Sequence, residues 1–203
     1  MLLTANQILE LDRIKRLNLI NSITGIKPAN LIGTCNTDNQ SNLAIFSSVV
    51  HLGSNPALLG IITRPSEEVP RHTLDNIIKT NYFTINHVPT SMIKQAHQTA
   101  AKYLPNQSEF KHCGFTEEII NSFPAPFVKE ANIQVGLKLT EILPIQINQT
   151  QMVIGQILML NLDDQLINAE GYINLEQAGS AGVSGLNSYY DLKFLESFPY
   201  ARP

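Results

Sequence analysis

The sequence predicts a mainly β fold, a small Greek-key antiparallel split barrel with helical decoration. Short apolar runs joined by tight turns recur along the chain, as at 31–37, 43–54 and 57–63, and this spacing is typical of antiparallel sheets. Helical patterns fall between the runs without the regular alternation of parallel βαβ winding, which is the competing topology. With 203 residues, 43% of them apolar, the chain is long enough for a sizeable core, and we expect one domain over 1–203.

Hydrophobic periodicity and helix breakers predict the individual elements. The N-terminal helix is expected over 5–22 and further helices over 74–80 and 91–104, with a short helix or turn at 115–123. The predicted strands cover 31–37, 43–54, 57–63, 82–88, 133–145 and 151–163, the last two as a hairpin around 146–150. Residues 179–185, "GSAGVSG", predict a flexible turn. We expect the aromatic tail that follows, within 179–203, to pack on the body or on a second subunit, because such residues rarely stay free in water.

Composition narrows the possible classes of protein. Charged residues make up 15%, below the roughly 25% of ordinary soluble domains, which suggests that a second copy of the chain covers part of the surface. The net charge of −3 argues against nucleic-acid binding. No apolar run approaches the ~20 residues of a membrane span. The N-terminus lacks a secretory pattern, and Cys35 and Cys113 form no metal or disulfide motif, so we expect a cytoplasmic protein.

The loop "RPSEEVPRHT", which joins a strand to a helix, is unusually rich in anion-binding side chains. Arginine forks and hydroxyls suit phosphate oxygens, and a helix capped by Thr73 would add free backbone N–H groups. The expected cradle consists of Arg64, Ser66, Arg71, His72 and Thr73. A solvated loop, in which the two arginines pair with Glu67 and Glu68, explains the composition equally well.

Two adjacent hydroxyls, Ser47 and Ser48, lie inside the apolar run 43–54. A buried hydroxyl needs a partner, because leaving it unsatisfied costs roughly 1–3 kcal/mol. Either the serines bond neighbouring backbone, or the strand edge offers them to a polar ring. The five histidines show no metal-ligand spacing, and no nucleophile elbow is present. We therefore predict no metal site and no catalytic side chain.

The order of these pieces resembles the flavin reductase-like FMN-binding family, the split-barrel flavoproteins that include flavoredoxin and the reductase components of two-component monooxygenases. The resemblance is carried by "LIGTCNTDNQSNLAIFSSVVHLGSNPALLGIITRP", "PRHTLDNI" and "YFTINHV", and it is strongest over residues 16–88. It implies a homodimer with one FMN per subunit near the dimer interface. The ring would lie against Phe46, Ser47, Ser48 and Val49. The phosphate and ribityl chain would be held by Thr63, Arg64, Arg71, His72 and Thr73, with Asn86 or His87 nearby.

The resemblance also implies the chemistry. The flavin would accept hydride from NAD(P)H as a transient co-substrate and pass electrons to a small molecule or a partner oxygenase. An FMN-binding electron carrier without NAD(P)H activity is the first alternative. A barrel that binds no cofactor, and whose arginine loop contacts an anionic partner, is the second.

Overall fold

The computed structural model describes residues 1–65, 72–104 and 106–202. Helices and strands are numbered here in chain order. The α-helices are α1 (Ala5–Glu10), α2 (Arg13–Ser22), α3 (His72–Thr80), α4 (Ile93–Gln98) and α5 (Glu109–Cys113). The strands are β1 (Lys27–Pro28), β2 (Asn30–Cys35), β3 (Ser41–Phe46), β4 (Val50–Ser54), β5 (Ala57–Thr63), β6 (Tyr82–His87), β7 (Glu117–Glu118), β8 (Phe127–Val128), β9 (Ile133–Ile145), β10 (Thr150–Leu162), β11 (Ala181–Ser184) and β12 (Ser188–Asp191).

Seven strands form one sheet in the order β3-β2-β6-β9-β10-β5-β4. Every neighbouring pair in this sheet is antiparallel, which confirms the predicted antiparallel class over parallel winding. The two edge strands, β3 and β4, follow one another in the sequence. The chain therefore passes directly from one edge of the sheet to the other.

The inner face of the curved sheet holds an apolar core that α3 closes. Leu74 and Ile77 of α3 pack with Ile32, Ile61 and other buried residues in a single cluster. The amphipathic spacing of α3 places these two side chains on one helical face. The start of the helix is thereby held on the same core as strand β5, which precedes it in the chain.

The outer face of β2 and β6 is covered by the segment that leads into β8. Gly33 makes this approach possible, since a Cβ there would lie 2.2 Å from the backbone oxygen of Pro126. Thr84 donates a hydrogen bond to the same oxygen at 2.6 Å. A second apolar cluster, centred on Leu31, Leu43 and Val128, lies on this side of the sheet.

The N-terminal helix predicted over 5–22 is wrong in one respect, because it is two helices. The first helix ends at Glu10, with Leu11 as its C-cap. Asp12 caps the second, since its carboxylate accepts hydrogen bonds from Ile14 N at 2.9 Å and Lys15 N at 3.1 Å. The two helices contain no buried residue. Several of their apolar side chains are exposed, including Ile14 at 59% and Ile20 at 47%.

Most other differences fall where short elements meet turns. The helix predicted over 91–104 ends at Gln98, and helix α5 and the short strand β7 were not foreseen. Residues 179–185 are not only a turn, because β11 pairs there with both β1 and β12. Only part of the aromatic tail that follows is packed. Tyr189 packs on the body, whereas Phe194 and Phe198 are 61% and 77% exposed.

Across the ranges that the structure describes, we find no helix with the length and hydrophobicity to cross a membrane.

Candidate functional site

Residues Ser47–Val49 connect the two edge strands of the sheet, and we call this segment the seam. The prediction of one continuous strand over 43–54 is wrong, because β3 ends at Phe46 and β4 begins at Val50. At the seam, Ser48 Oγ donates to Ile62 O at 3.1 Å and accepts from Ile62 N at 3.0 Å. The Ser48 side chain thus makes the hydrogen bonds to β5 that the backbone of a continuous strand would make. The strand is interrupted at this point.

The side chains in and next to the seam differ in their contacts. Phe46 and Val49 are half-buried and pack against the barrel core. Ser47 is also half-buried, and no partner for its hydroxyl is recorded within the described ranges. Ser48 therefore bonds neighbouring backbone, which is the first of the two alternatives. The hydroxyl of Ser47 remains available to a ligand.

The strand-to-helix junction begins with Thr63 and Arg64 and resumes at His72. Thr63 is 4% exposed, and among the described residues its hydroxyl makes one long contact, of 3.4 Å, to Gln151 O. Arg64 directly follows and is exposed. The rest of the predicted cradle, Ser66 and Arg71, lies outside the described residues, as do Glu67 and Glu68 of the solvated-loop alternative.

Helix α3 begins at His72, one residue before the predicted cap. Thr73 is therefore not the N-cap but lies in the first turn, where backbone N–H groups still lack intrahelical acceptors. Those N–H groups and the positive end of the helix dipole point out of the N-terminal end of α3. An anion held at that end would meet them.

Buried polar side chains fix the start of α3. Asn42 of β3 donates to Thr73 Oγ1 at 3.1 Å and to Thr34 Oγ1 at 3.4 Å. Asn76 of α3 donates to Thr34 Oγ1 at 3.1 Å. Thr73 uses its oxygen as an acceptor in this network. Its hydroxyl proton has no recorded acceptor in the described part of the chain and can be donated to a ligand.

Asn86 lies apart from the other predicted site residues. Its cross-strand partner is Leu31, on the sheet face opposite α3. The Asn86 amide donates to Leu31 O at 3.1 Å and Thr84 Oγ1 at 2.9 Å, and its oxygen accepts from Val128 N at 3.0 Å. With 0% exposure, this side chain joins β2, β6 and β8 and does not reach the junction.

Burial perturbs the pKa of two titratable groups, Glu109 and His87. Burial raises the pKa of the Glu109 carboxyl, while its hydrogen bond from Leu43 N and the nearby charges of His72 and His112 act in the opposite direction. Its Oε2 accepts from Leu43 N at 3.0 Å, on the free edge of β3. Burial also lowers the pKa of His87 to about 4, so this imidazole is neutral at pH 7 and adds no positive charge for an anion.

Comparison with known proteins identifies the fold and the family. The family described as "Flavin reductase like domain" matches residues 26–176. The chain belongs to this flavin reductase-like family. A crystal structure of a Shewanella frigidimarina NCIMB 400 protein, assigned as a flavin reductase with a split barrel domain, is 44% identical, with a TM-score of 0.95 over 99% of this chain and 100% of that one. The predicted split barrel is thereby confirmed.

Two further solved structures share the fold at lower identity. Nitrilotriacetate monooxygenase component B from Bacillus cereus is 20% identical, with a TM-score of 0.85 and 98% of each chain covered. Flavoredoxin of Desulfovibrio vulgaris (Miyazaki F) is 20% identical, with a TM-score of 0.75 over 87% of this chain and 92% of that one.

The residues of this flavin reductase-like chain fit a phosphate-bearing ligand at the junction. Arg64, which is exposed directly after β5, and Thr73, a hydroxyl donor in the first turn of α3, belong to two elements that pack on one core. Sequence reasoning did not assign a role to Thr34, Asn42 or Asn76, which hold the helix start. Their only signal was a polar side chain inside an apolar run, as in "SNLAIF".

Proposed function

We propose that this chain is an FMN-binding oxidoreductase that transfers hydride or electrons as NAD(P)H-dependent flavin reductases do. The observation that carries the proposal is the buried network of Asn42, Thr34 and Asn76, which fixes Thr73 in the first turn of α3. A hydroxyl donor held beside the free backbone N–H groups of a helix start suits the oxygens of a phosphate. Family membership supplies the flavin as the phosphate-bearing ligand.

The proposed ligand contacts divide between the junction and the seam. Arg64, Arg71, His72 and Thr73 would hold the phosphate, with Thr63 beside the ribityl chain. The seam, together with the half-buried Phe46, would flank the ring. Ser47 would offer its hydroxyl, whereas Ser48 keeps the seam in place. Asn86 leaves the proposed contact set, because its hydrogen bonds are made within the protein.

Bound flavin would supply the redox chemistry, since it accepts hydride from a nicotinamide. The chain's own residues then need only bind and orient the group and leave one face accessible. We assign no acid–base pair. The neutral His87 and the buried Glu109 act on the local structure.

A second copy of the chain is part of the proposal. On β4, Val50 and Leu52 are 41% and 42% exposed, and the N-terminal helices carry further exposed apolar side chains. Together with the low fraction of charged residues, these support a homodimer that covers the outer face of β4. A partner oxygenase is the proposed electron acceptor, alongside small molecules.

The test begins with the visible absorption spectrum of the purified protein, before and after addition of FMN. A protein that stays colourless and takes up no FMN contradicts the proposal and favours the barrel without cofactor. Binding of FAD in preference to FMN would correct the flavin type, because FAD replaces the phosphate monoester with a diphosphate.

Reduction tests the second half of the proposal. Anaerobic addition of NADH, and separately NADPH, to the FMN-loaded protein should bleach the flavin band within seconds to minutes. An absence of bleaching with both, while dithionite still reduces the flavin, would establish the alternative of an electron carrier without NAD(P)H activity.

A further inference from the structure

A polar side chain without partners lies in the barrel wall. Asn30, the first residue of β2, is 1% exposed. Neither its amide nitrogen nor its amide oxygen has a hydrogen-bond partner among the described residues. Leaving both ends of a buried carboxamide unpaired costs folding free energy, and native proteins rarely do so without a reason. Asn30 is therefore a candidate for contact with something that the protein binds.

The position of Asn30 places it beside the seam. Its cross-strand neighbours are Phe46 on β3 and His87 on β6. Directly opposed side chains in antiparallel strands share a face and lie about 5 Å apart at Cβ. The ring of His87 is already engaged, because Nδ1 shares a hydrogen bond with Ser180 Oγ at 3.0 Å. Phe46, on the other side of Asn30, offers no polar side-chain atom, and its half-buried ring lies next to the seam.

We propose that the Asn30 carboxamide is the hydrogen-bonding partner of the imide edge of the flavin ring. This inference rests on the proposed function. A carboxamide presents a donor beside an acceptor, and the pyrimidine portion of a flavin presents the complementary pair, an N3–H flanked by carbonyl oxygens. The same complementarity lets asparagine bind the edge of a nucleobase with two hydrogen bonds.

The inference requires the ligand to reach Asn30 past its cross-strand neighbour Phe46. This side chain is half-buried and is the last residue of an edge strand, directly before the chain leaves the sheet. Movement of the Phe46 ring toward solvent opens the carboxamide to a planar group lying along the seam. The alternative occupant is an internal water molecule, which would satisfy the same atoms without any ligand.

The first experiment needs no variant. Wild-type protein is titrated with riboflavin and with N3-methylriboflavin, and binding is followed by flavin fluorescence. The methyl group removes the N3–H donor, so we expect binding about tenfold weaker, the effect of losing one or two hydrogen bonds. Equal affinities for the two flavins would overturn the inference. Failure of the wild type to bind any flavin would instead overturn the proposed function.

The second experiment uses Asn30→Val, which replaces the carboxamide with an apolar side chain of similar size. It should bind FMN and riboflavin about tenfold more weakly, with no loss in Tm and no discrimination against N3-methylriboflavin. Arg64→Ala is the matched control, because it should weaken FMN and leave riboflavin nearly unchanged. Unaltered flavin affinity in Asn30→Val contradicts the inference.

A readout without activity comes from NMR of the Asn30 side-chain amide. Its ¹⁵N–¹H signals should shift when riboflavin is added to the wild type. Signals that stay in place, with cross-peaks to bound water both before and after the addition, would assign the carboxamide to an internal water and overturn the inference. This spectrum also decides the question if Asn30→Val does not fold.

Discussion

The hydroxyl of Ser48 bonds both backbone groups of Ile62, accepting from the N–H at 3.0 Å and donating to the C=O at 3.1 Å. Ile62 belongs to β5, whose other edge pairs with β10. Ser48 itself lies between the two edge strands, at the point where the chain passes from one to the other. This single side chain therefore ties the seam to the sheet, and its neighbour Ser47 has no such role.

Replacing the two serines separately should give opposite results. Ser48→Ala leaves an N–H and a C=O of Ile62 without a partner, so we expect the free energy of unfolding to fall by about 1–3 kcal/mol. Ser47→Ala should leave stability within about 0.5 kcal/mol while weakening flavin binding or shifting the flavin potential. Chemical denaturation and redox titration measure the two effects. A destabilised Ser47→Ala with intact Ser48→Ala would reverse this assignment.

Stability should depend on pH through His87. Burial holds its pKa at about 4 in the folded protein, whereas an unfolded histidine titrates near 6.5. The unfolded chain therefore binds a proton first, and the free energy of unfolding falls as the pH drops from about 6.5 toward 4, by at most about 3 kcal/mol. His87→Gln should flatten this part of the profile. His51→Gln, at an exposed histidine, is the control and should not.

Gly33 should not tolerate a side chain. The Cβ of Gly33→Ala would lie 2.2 Å from Pro126 O and 2.5 Å from Thr84 Oγ1, so the segment covering the sheet must move. We expect a loss of about 1–3 kcal/mol in the free energy of unfolding, measured by urea denaturation. Gly53→Ala is a matched strand control, since the nearest atom to its Cβ is at 3.4 Å. Equal stability of the two variants would contradict the close approach.

Thr34 should link stability to phosphate recognition. Thr34→Val removes the oxygen that accepts from Asn42 and Asn76, which releases the start of α3. We expect a loss of about 1–3 kcal/mol in stability and weaker binding of FMN than of riboflavin relative to the wild type. Equal weakening of both flavins, measured by fluorescence titration, would show that the helix start does not contact the phosphate.

Parts of the fold with strong local patterns were predictable. The run "ALLGIIT" forms β5, and the hairpin of β9 and β10 occupies almost the predicted residues. The prediction of one strand over 43–54 was wrong because the interruption depends on a hydrogen bond from Ser48 to Ile62, a residue 14 positions away. Thr73 was placed one position outside its helix because helix ends depend on neighbouring contacts as well as on the local sequence.

The anion site that the sequence predicts stays a proposal, and the structure changes which residues belong to it. An arginine- and hydroxyl-rich loop before a helix indicated an anion site, and Arg64, His72 and Thr73 keep that role as a proposal. Asn86 could not be placed from the sequence, since an asparagine near a strand end carries no sign of which face it occupies. The orphaned Asn30 gave no sequence signal either, because a missing partner becomes visible only when every neighbour is in position.

The sequence by itself determined the antiparallel β class, the strand-to-helix loop and the family resemblance, since these follow from alternation, turn residues and the order of segments along the chain. Tertiary structure alone decided that consecutive strands lie at opposite sheet edges, that Ser48 rather than Ser47 holds the seam, and that Asn42 reaches Thr73 across 31 positions. The physical reason is that hydrogen bonds of buried polar groups are satisfied by whichever residues packing brings near, and sequence separation does not encode that choice.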